Sequence, residues 1–224
     1  MSQTNRSIWV FADYRNYFQN RVTLQLLAKA NDLATGMDAE VCVVVFGHET
    51  DEYVAEYIAH GAQKVLLVEH PSLNQYSVEK FTALMAKIAG DHQPEIILIG
   101  ATSFGREFAP RVAKRLGTGL TADCIGLEIT DEGYLLQIAP SFGGNLVAEI
   151  ITPDHRPQMA TVRPGTFQEL PHDNTRCGDI VPIPLPKKIP PDRLRLVAYE
   201  RRTDRDQRLE EAKIVVCGGR GMGS

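Results

Sequence analysis

Short apolar runs alternate with helical periodicities along the first half of the chain, and that alternation restricts it to very few architectures. Ser7-Ile-Trp-Val-Phe-Ala12 ends at Asp13, and Val41-Cys-Val-Val-Val-Phe46 ends at Gly47. Each reads as a strand buried on both faces. Between them Val22, Leu26, Leu27, Ala30, Leu33 and Ala34 recur at helical spacing and stop at Gly36, a natural helix terminator. Together they make a βαβ unit. The same grammar continues with a helix near 51–60, a strand at 64–68, a helix near 78–89 and a strand at 95–99. A parallel sheet covered by helices is expected.

A further helical stretch opens at Thr102-Ser103, carries Phe104, Phe108, Val112, Ala113 and Leu116, and ends at Gly117. Thr102 or Ser103 is its expected N-cap. The cap follows the carboxyl end of a strand, where open α/β sheets place their ligand crevice and where a helix N-terminus can receive an anion. Residues 100–106 are thus the ligand-site candidate of the first half. Simple packing competes with that reading, because every βα unit has such a junction.

From Cys124 the pattern changes. Residues 124–130 and 134–139 are β-rich and joined through Asp131-Glu132-Gly133, a hairpin signal. Two more short strands, at 146–151 and 159–163, are expected to complete an antiparallel extension of the sheet. Pro171, Pro182, Pro184, Pro186, Pro190 and Pro191 then remove so many donors that a traversing arm or linker fits better than a packed element. A boundary near Lys187 divides the chain into 1–187 and 188–224.

Beyond it, 194–199 reads as a strand. In the next stretch Arg201, Arg202, Arg205 and Arg208 are interleaved with Asp204, Asp206, Glu210 and Glu211, which reads as a solvated face or a protein contact. The chain closes with an apolar strand, 213–217, running into Gly218-Gly-Arg-Gly221. Gly219 and Gly221 would let the backbone approach a phosphate or a flavin edge, and Arg220 offers a guanidinium with five donors. A flexible tail is the alternative reading of the same residues.

Composition narrows the function. Lys plus Arg number 24 against 28 Asp plus Glu, a formal charge of −4, so no global positive field draws nucleic acid. The longest apolar run, 41–46, is far short of the roughly 20 residues a membrane span needs, so no direct membrane insertion is expected. No apolar targeting segment follows the start, and Asp13 sits where an organellar presequence avoids acids, which gives a cytoplasmic expectation. Cys42, Cys124, Cys177 and Cys217 lie far apart without metal-ligand spacing and read as reduced, mostly buried thiols. No metal ligand and no catalytic constellation is assigned.

Residues 101–124, Ala-Thr-Ser-Phe-Gly-Arg-Glu-Phe-Ala-Pro-Arg-Val-Ala-Lys-Arg-Leu-Gly-Thr-Gly-Leu-Thr-Ala-Asp-Cys, resemble the signature of the alpha subunit of electron transfer flavoproteins. So do Phe142-Gly-Gly-Asn145 and Arg156-Pro-Gln-Met-Ala-Thr-Val-Arg-Pro-Gly165, and Cys217-Gly-Gly-Arg-Gly221 is similar to that family's opening flavin-domain motif, with Cys217 where the family carries Ser. The resemblance covers essentially the whole chain. It implies a three-layer αβα domain of the adenine-nucleotide-hydrolase-like type with an antiparallel extension, then a linker and a truncated FAD-binding domain.

It further implies an electron carrier rather than a hydrolytic or group-transfer enzyme. That carrier is a heterodimer with a beta subunit, taking electrons from acyl-CoA or related flavin dehydrogenases, as in fatty acid beta-oxidation, and passing them to a quinone reductase or another acceptor. Gly219, Arg220 and Gly221 would belong to the FAD site, with Arg220 stabilising the reduced, anionic flavin. FAD is expected in the intact subunit and not to be retained by this chain alone. AMP or a second FAD is expected on the beta subunit, which makes residues 100–106 an emptied relative of a nucleotide site. The rival reading is a free-standing adenine-nucleotide-binding α/β module that uses residues 100–106; a third is a purely structural docking partner.

Overall fold

The computed structural model describes residues 6–15, 17–144, 146–189, 191, 193, 194, 197, 198, 212 and 214–223, without the side chains of Tyr17, Phe18, Gln19 and Phe142. It divides into two compact units, Met1–Arg193 and Leu194–Ser224.

In the first unit the apolar runs become β1 (Ser7–Phe11), β2 (Glu40–Gly47), β3 (Lys64–Glu69) and β4 (Ile96–Gly100). They alternate with α1 (Tyr17–Met37), α2 (Asp51–Ala59), α3 (Val78–His92) and α4 (Ser103–Leu116). These are joined by β5 (Leu120–Cys124), β9 (Gln158–Val162) and β10 (Asp179–Pro182) in a seven-stranded sheet of order β10-β3-β2-β1-β4-β9-β5, every pair of which is parallel. The side-chain period of two then sorts the core into two faces. Ile8, Val10, Val43 and Leu98 pack under α1 and α2, whereas Trp9, Phe11, Val44 and Ile99 pack under α3 and α4. Helices on both sides of the sheet make three layers. The strand runs are apolar throughout because both of their faces are covered.

The helix ends follow local chemistry. Ser77 caps α3 by accepting the Lys80 N–H at 3.3 Å, and Thr102 caps α4 by accepting the Gly105 N–H at 3.1 Å. Gly117 ends α4 in the left-handed conformation, at φ 69°, as its position in the sequence implies. Gly105 has a stronger reason to be glycine: a Cβ there would lie 1.8 Å from the Gly100 carbonyl oxygen, so the missing side chain lets α4 seat against the end of β4.

Three expectations need correction. The antiparallel strands β6 (Gly126–Ile129), β7 (Leu135–Ser141) and β8 (Leu146–Ile150) form a separate three-stranded sheet, packed through Leu127 and Leu135 on the α1 side, rather than continuing the first sheet. The strand expected at 159–163 is β9, which inserts in parallel between β4 and β5; buried on every residue, it has the composition of a central strand. The proline-rich stretch does traverse the surface, but it also contributes β10 and packs Ile183, Leu185 and Ile189 on the α3–α4 face.

In the second unit, 214–217 forms no strand, since no ladder partner exists for it among the described residues. Leu194, Val197 and Ala198 likewise lie outside any strand, while the rest of the stretch expected at 194–199 and the charged stretch at 200–211 fall outside the described residues.

Cys42 and Cys124 are buried, and burial pushes their thiols up to about 12 and about 11, with Glu40 and Asp123 adding to the rise; Cys177 and Cys217 are exposed. Iodoacetamide at pH 8 is expected to modify Cys177 and Cys217 and to spare Cys42 and Cys124 until denaturant is added. Mass spectrometry that finds all four labelled in the native chain would contradict the two closed cores. Because the folded state holds these two protons more tightly than the unfolded chain, the stability they confer is complete below about pH 9 and is lost as pH rises toward 12. Gly105→Ala is expected to lower the unfolding free energy by about 2–3 kcal/mol in urea titrations. Gly90→Ala, where an added methyl meets nothing within 4 Å, should instead gain about 0.5–1 kcal/mol from helix propensity.

Candidate functional site

The connections through α1 and α2 carry the chain from β1 toward β3, and α3 then returns it to the other side of β1. The reversal puts a topological switch point between the carboxyl ends of β1 and β4, where doubly wound sheets hold their ligands. Of residues 100–106, Thr102 and Phe104 border this crevice. The crevice is filled by the chain itself. Asp13, buried just past β1, accepts a hydrogen bond from the Thr102 hydroxyl at 3.0 Å, while its own N–H donates to Thr23 Oγ1 at 3.0 Å. Its two carboxylate oxygens take the Arg15 guanidinium at 2.8 and 2.9 Å.

The carboxylate therefore lies beside the first turn of α4, where a ligand's phosphate would be received. Arg15 completes the closure. Its guanidinium carbon is 4.3 Å from the centre of the Phe104 ring and 5.3 Å from that of Tyr76, and such cation–ring contacts hold it at the opening. Tyr76 in turn donates to Glu107 at 3.2 Å, and burial, with Glu107 beside it, pushes its phenol well above the ordinary range. A cavity of about 50 Å³ remains among these side chains, far below the several hundred Å³ of ligand pockets. Asp13 and Arg15 were invisible as a pair to periodicity; the only signal was an acid and a base spaced by two just after the first strand.

A second polar cluster sits farther along the same edge. Asp123, at φ 59° where the β5–β9 register breaks, pairs with Arg163 at 2.6 and 3.2 Å and receives Arg106 at 4.0 Å. Its N–H is fixed by Thr161 Oγ1 at 2.9 Å. The two long motifs of the sequence thus meet through Arg106, Asp123 and Arg163, with Asp123 and Arg163 forty residues apart. The intervening motif residues Phe142–Gly144 make the tight turn from β7 to β8, with Gly143 and Gly144 at φ 70° and 92°. At the opposite, amino end of the sheet a cavity of about 660 Å³ is bordered by Arg6, His92, Glu95 and Arg156. Arg156 is already engaged there by Glu95 and by the Thr152, Pro153 and His155 carbonyls.

The second unit carries the glycine–arginine segment. Gly219 is extended, and Arg220–Met222 make one short 3₁₀ turn, with the Met222 N–H donating to the Gly219 carbonyl at 3.1 Å. A Cβ at Gly218 would meet the Met222 sulfur at 2.6 Å, a contact that this long, exposed side chain relieves by moving aside. Around Gly219 and Gly221 nothing among the described residues lies within 4 Å of an added Cβ, so their backbone is open to a planar group, and Arg220 is exposed. These features fit the edge of a flavin or a phosphate.

Residues 8–188 match the electron transfer flavoprotein domain family. The electron transfer flavoprotein subunit alpha of Thermoanaerobacterium thermosaccharolyticum is 41% identical over 97% of this chain and 66% of its own length, and that of Clostridium acetobutylicum is 39% identical over 98% and 66%. The lactate dehydrogenase (NAD(+),ferredoxin) subunit LctC of Acetobacterium woodii is 34% identical over 97% of this chain and 52% of its own length. The chain spans just under two thirds of the first two and about half of the third. With the family match running from β1 through the proline-rich arm, the chain belongs to the electron transfer flavoprotein domain family.

Proposed function

We propose that this chain is the supporting part of an electron transfer flavoprotein alpha subunit. In this reading it pairs with a beta subunit to carry electrons from acyl-CoA or related flavin dehydrogenases to a quinone reductase or another acceptor. The observation that carries the reading is the filled switch point. An α/β unit whose nucleotide crevice is occupied by its own Asp13 and Arg15 serves as a platform, and cofactor contact falls to Gly219, Arg220 and Gly221. Domain organisation follows the same division, with 1–187 as the platform and 188–224 as linker and opening of the flavin domain.

FAD, when bound, supplies reversible electron transfer at its ring system. Gly219 and Gly221 admit the ring edge or the pyrophosphate because they add no side chain to the approach. Arg220 places a permanent positive charge beside it, which favours the negatively charged reduced form and raises the potential. The free-standing nucleotide module is disfavoured by the same crevice, since AMP or ATP would have to displace a carboxylate held by one hydroxyl and a bidentate guanidinium.

The test is to purify the chain alone and co-expressed with an electron transfer flavoprotein beta subunit, record visible spectra, and identify any nucleotide released by acid. A colourless chain that co-purifies with the beta subunit is the expected result. A yellow chain on its own, or stoichiometric AMP or ATP on it, overturns the platform assignment. In the complete heterodimer Arg220→Ala is expected to weaken flavin retention roughly 10-fold or more and to lower the midpoint potential, with Arg220→Lys intermediate. Unchanged flavin content and potential in Arg220→Ala would remove this residue from the site.

A further inference from the structure

We propose that the cavity at the amino end of the sheet is a binding site for a small organic oxyanion, a carboxylate or phosphate ester that carries a short apolar body. The cavity measures about 660 Å³, within the roughly 300–1,000 Å³ of small-molecule pockets, whereas only about 50 Å³ is left at the filled switch point. The electron-carrier reading makes no use of this cavity, and the two can fail separately.

Rigid elements surround it. Arg6, Glu95 and Pro157 stand immediately before β1, β4 and β9, three adjacent strands in the middle of the sheet, while Gly90 and Leu116 belong to the closing turns of α3 and α4. Backbone hydrogen bonds tie the strand starts together: the Glu95 N–H donates to the Ser7 carbonyl at 3.0 Å, and the Gln158 N–H donates to the Glu95 carbonyl at 2.9 Å. A site set on such elements keeps its shape without a ligand.

The polar groups on its wall are unevenly committed. Pro94 and Pro157 have no N–H to offer, so a ligand's charge is met there by side chains. Those present are Arg6, His92, Gln93 and Arg156 against one acid, Glu95. Glu95 is already taken, since its Oε1 accepts from Arg156 Nε and, at 3.5 Å, from the Gln158 amide. Arg156 spends Nη1 on three carbonyls, which fixes its plane and leaves Nη2 unengaged among the described residues. Arg6 has no side-chain hydrogen bond or ion pair among them.

Charge decides the sign of the ligand. Arg156 and Glu95 cancel. The end of α3 contributes about half a negative elementary charge, less than the whole positive charge of Arg6. The balance is positive, against the overall sign of a chain whose formal charge is −4. Guanidinium groups match the paired oxygens of carboxylates and phosphates. Ala89, Pro94, Leu116 and Pro157 add apolar wall, and the volume is far more than a bare phosphate fills, so the anion carries an organic body.

The test is calorimetric titration of the full chain with hexyl phosphate and with hexanoate, beside hexanol and inorganic phosphate as the separate halves. Trp9 reports the place, because it is the only tryptophan of the chain and its ring centre lies 6.0 Å from that of His92. At least one of the two anions is expected to bind saturably, to change Trp9 emission, and to bind about 10-fold or more tighter than either half. Binding of hexyl phosphate alone identifies the ligand as a phosphate ester, and binding of hexanoate alone identifies a carboxylate. Arg6→Glu and the cavity-filling Gly90→Phe should each weaken binding about 10-fold or more. Neither should lower the melting temperature, since Arg6 is exposed and nothing among the described residues lies within 4 Å of an added Cβ at Gly90. The site is overturned by any of four results: no saturable binding of either anion, hexanol bound as tightly as the anions, inorganic phosphate bound as tightly as hexyl phosphate, or undiminished binding by Arg6→Glu.

Discussion

One buried contact, the Thr102 hydroxyl on the Asp13 carboxylate, determines what the carboxyl edge of the sheet can do. Thr102 donates to Asp13 and accepts from Gly105, so one side chain ties the end of β1 to the start of α4. A buried carboxylate costs several kcal/mol unless it is neutralised, and here the Arg15 fork and the α4 N-terminus share that task. The arrangement is closed because the Thr102 hydroxyl and the Nε and Nη2 of Arg15 all donate to the one carboxylate. A ligand phosphate at this point would repel the carboxylate and have to compete with it for Arg15. The common α/β scaffold is thereby kept while its common ligand position is withdrawn, which separates the architecture of this chain from nucleotide binding at that position.

The parts of the fold legible in the sequence are those with local grammar. β1 to β4 are continuous apolar runs because both faces of a parallel sheet are covered, and α3 and α4 declare themselves through caps and apolar spacing. β5 was not legible: Leu-Thr-Ala-Asp-Cys alternates partly and carries the acid that makes its bulge. β9 was legible as a strand but not in its place, since nothing in residues 158–162 says that they enter between β4 and β5. β10 was masked by its prolines, which an edge position tolerates.

The site divides in the same way. The junction at Thr102 could be located because a cap lies next to its helix, but its closure by Arg15 depends on a ring at Phe104 far along the chain. Asp123 and Arg163 were both visible inside motifs, yet their pairing is a tertiary fact. The terminal glycines could be read because open space around Gly219 and Gly221 is what glycine provides; the strand expected before them required a neighbour that the described residues do not supply. The apolar residues of β8 show the opposite difficulty. Leu146 and Val147 read only as part of a short strand, and it takes the sheet order to reveal that they stand at an edge.

The position of β9 also orders events in time. β4 and β5 are not neighbours in the sheet, and the slot between them stays open until residues 158–162 arrive after the whole β6–β8 excursion. A chain emerging from the ribosome can therefore assemble β1 to β4 from nearby pieces, but β5 has no ladder to join until the last central strand has been made. Closing a slot from within demands long-range contacts, and these slow folding and prolong the exposure of unpaired backbone. The stretch most dependent on prompt completion is thus the buried middle of the sheet, and a ribosome pausing before residue 158 would hold the molecule at its most vulnerable stage.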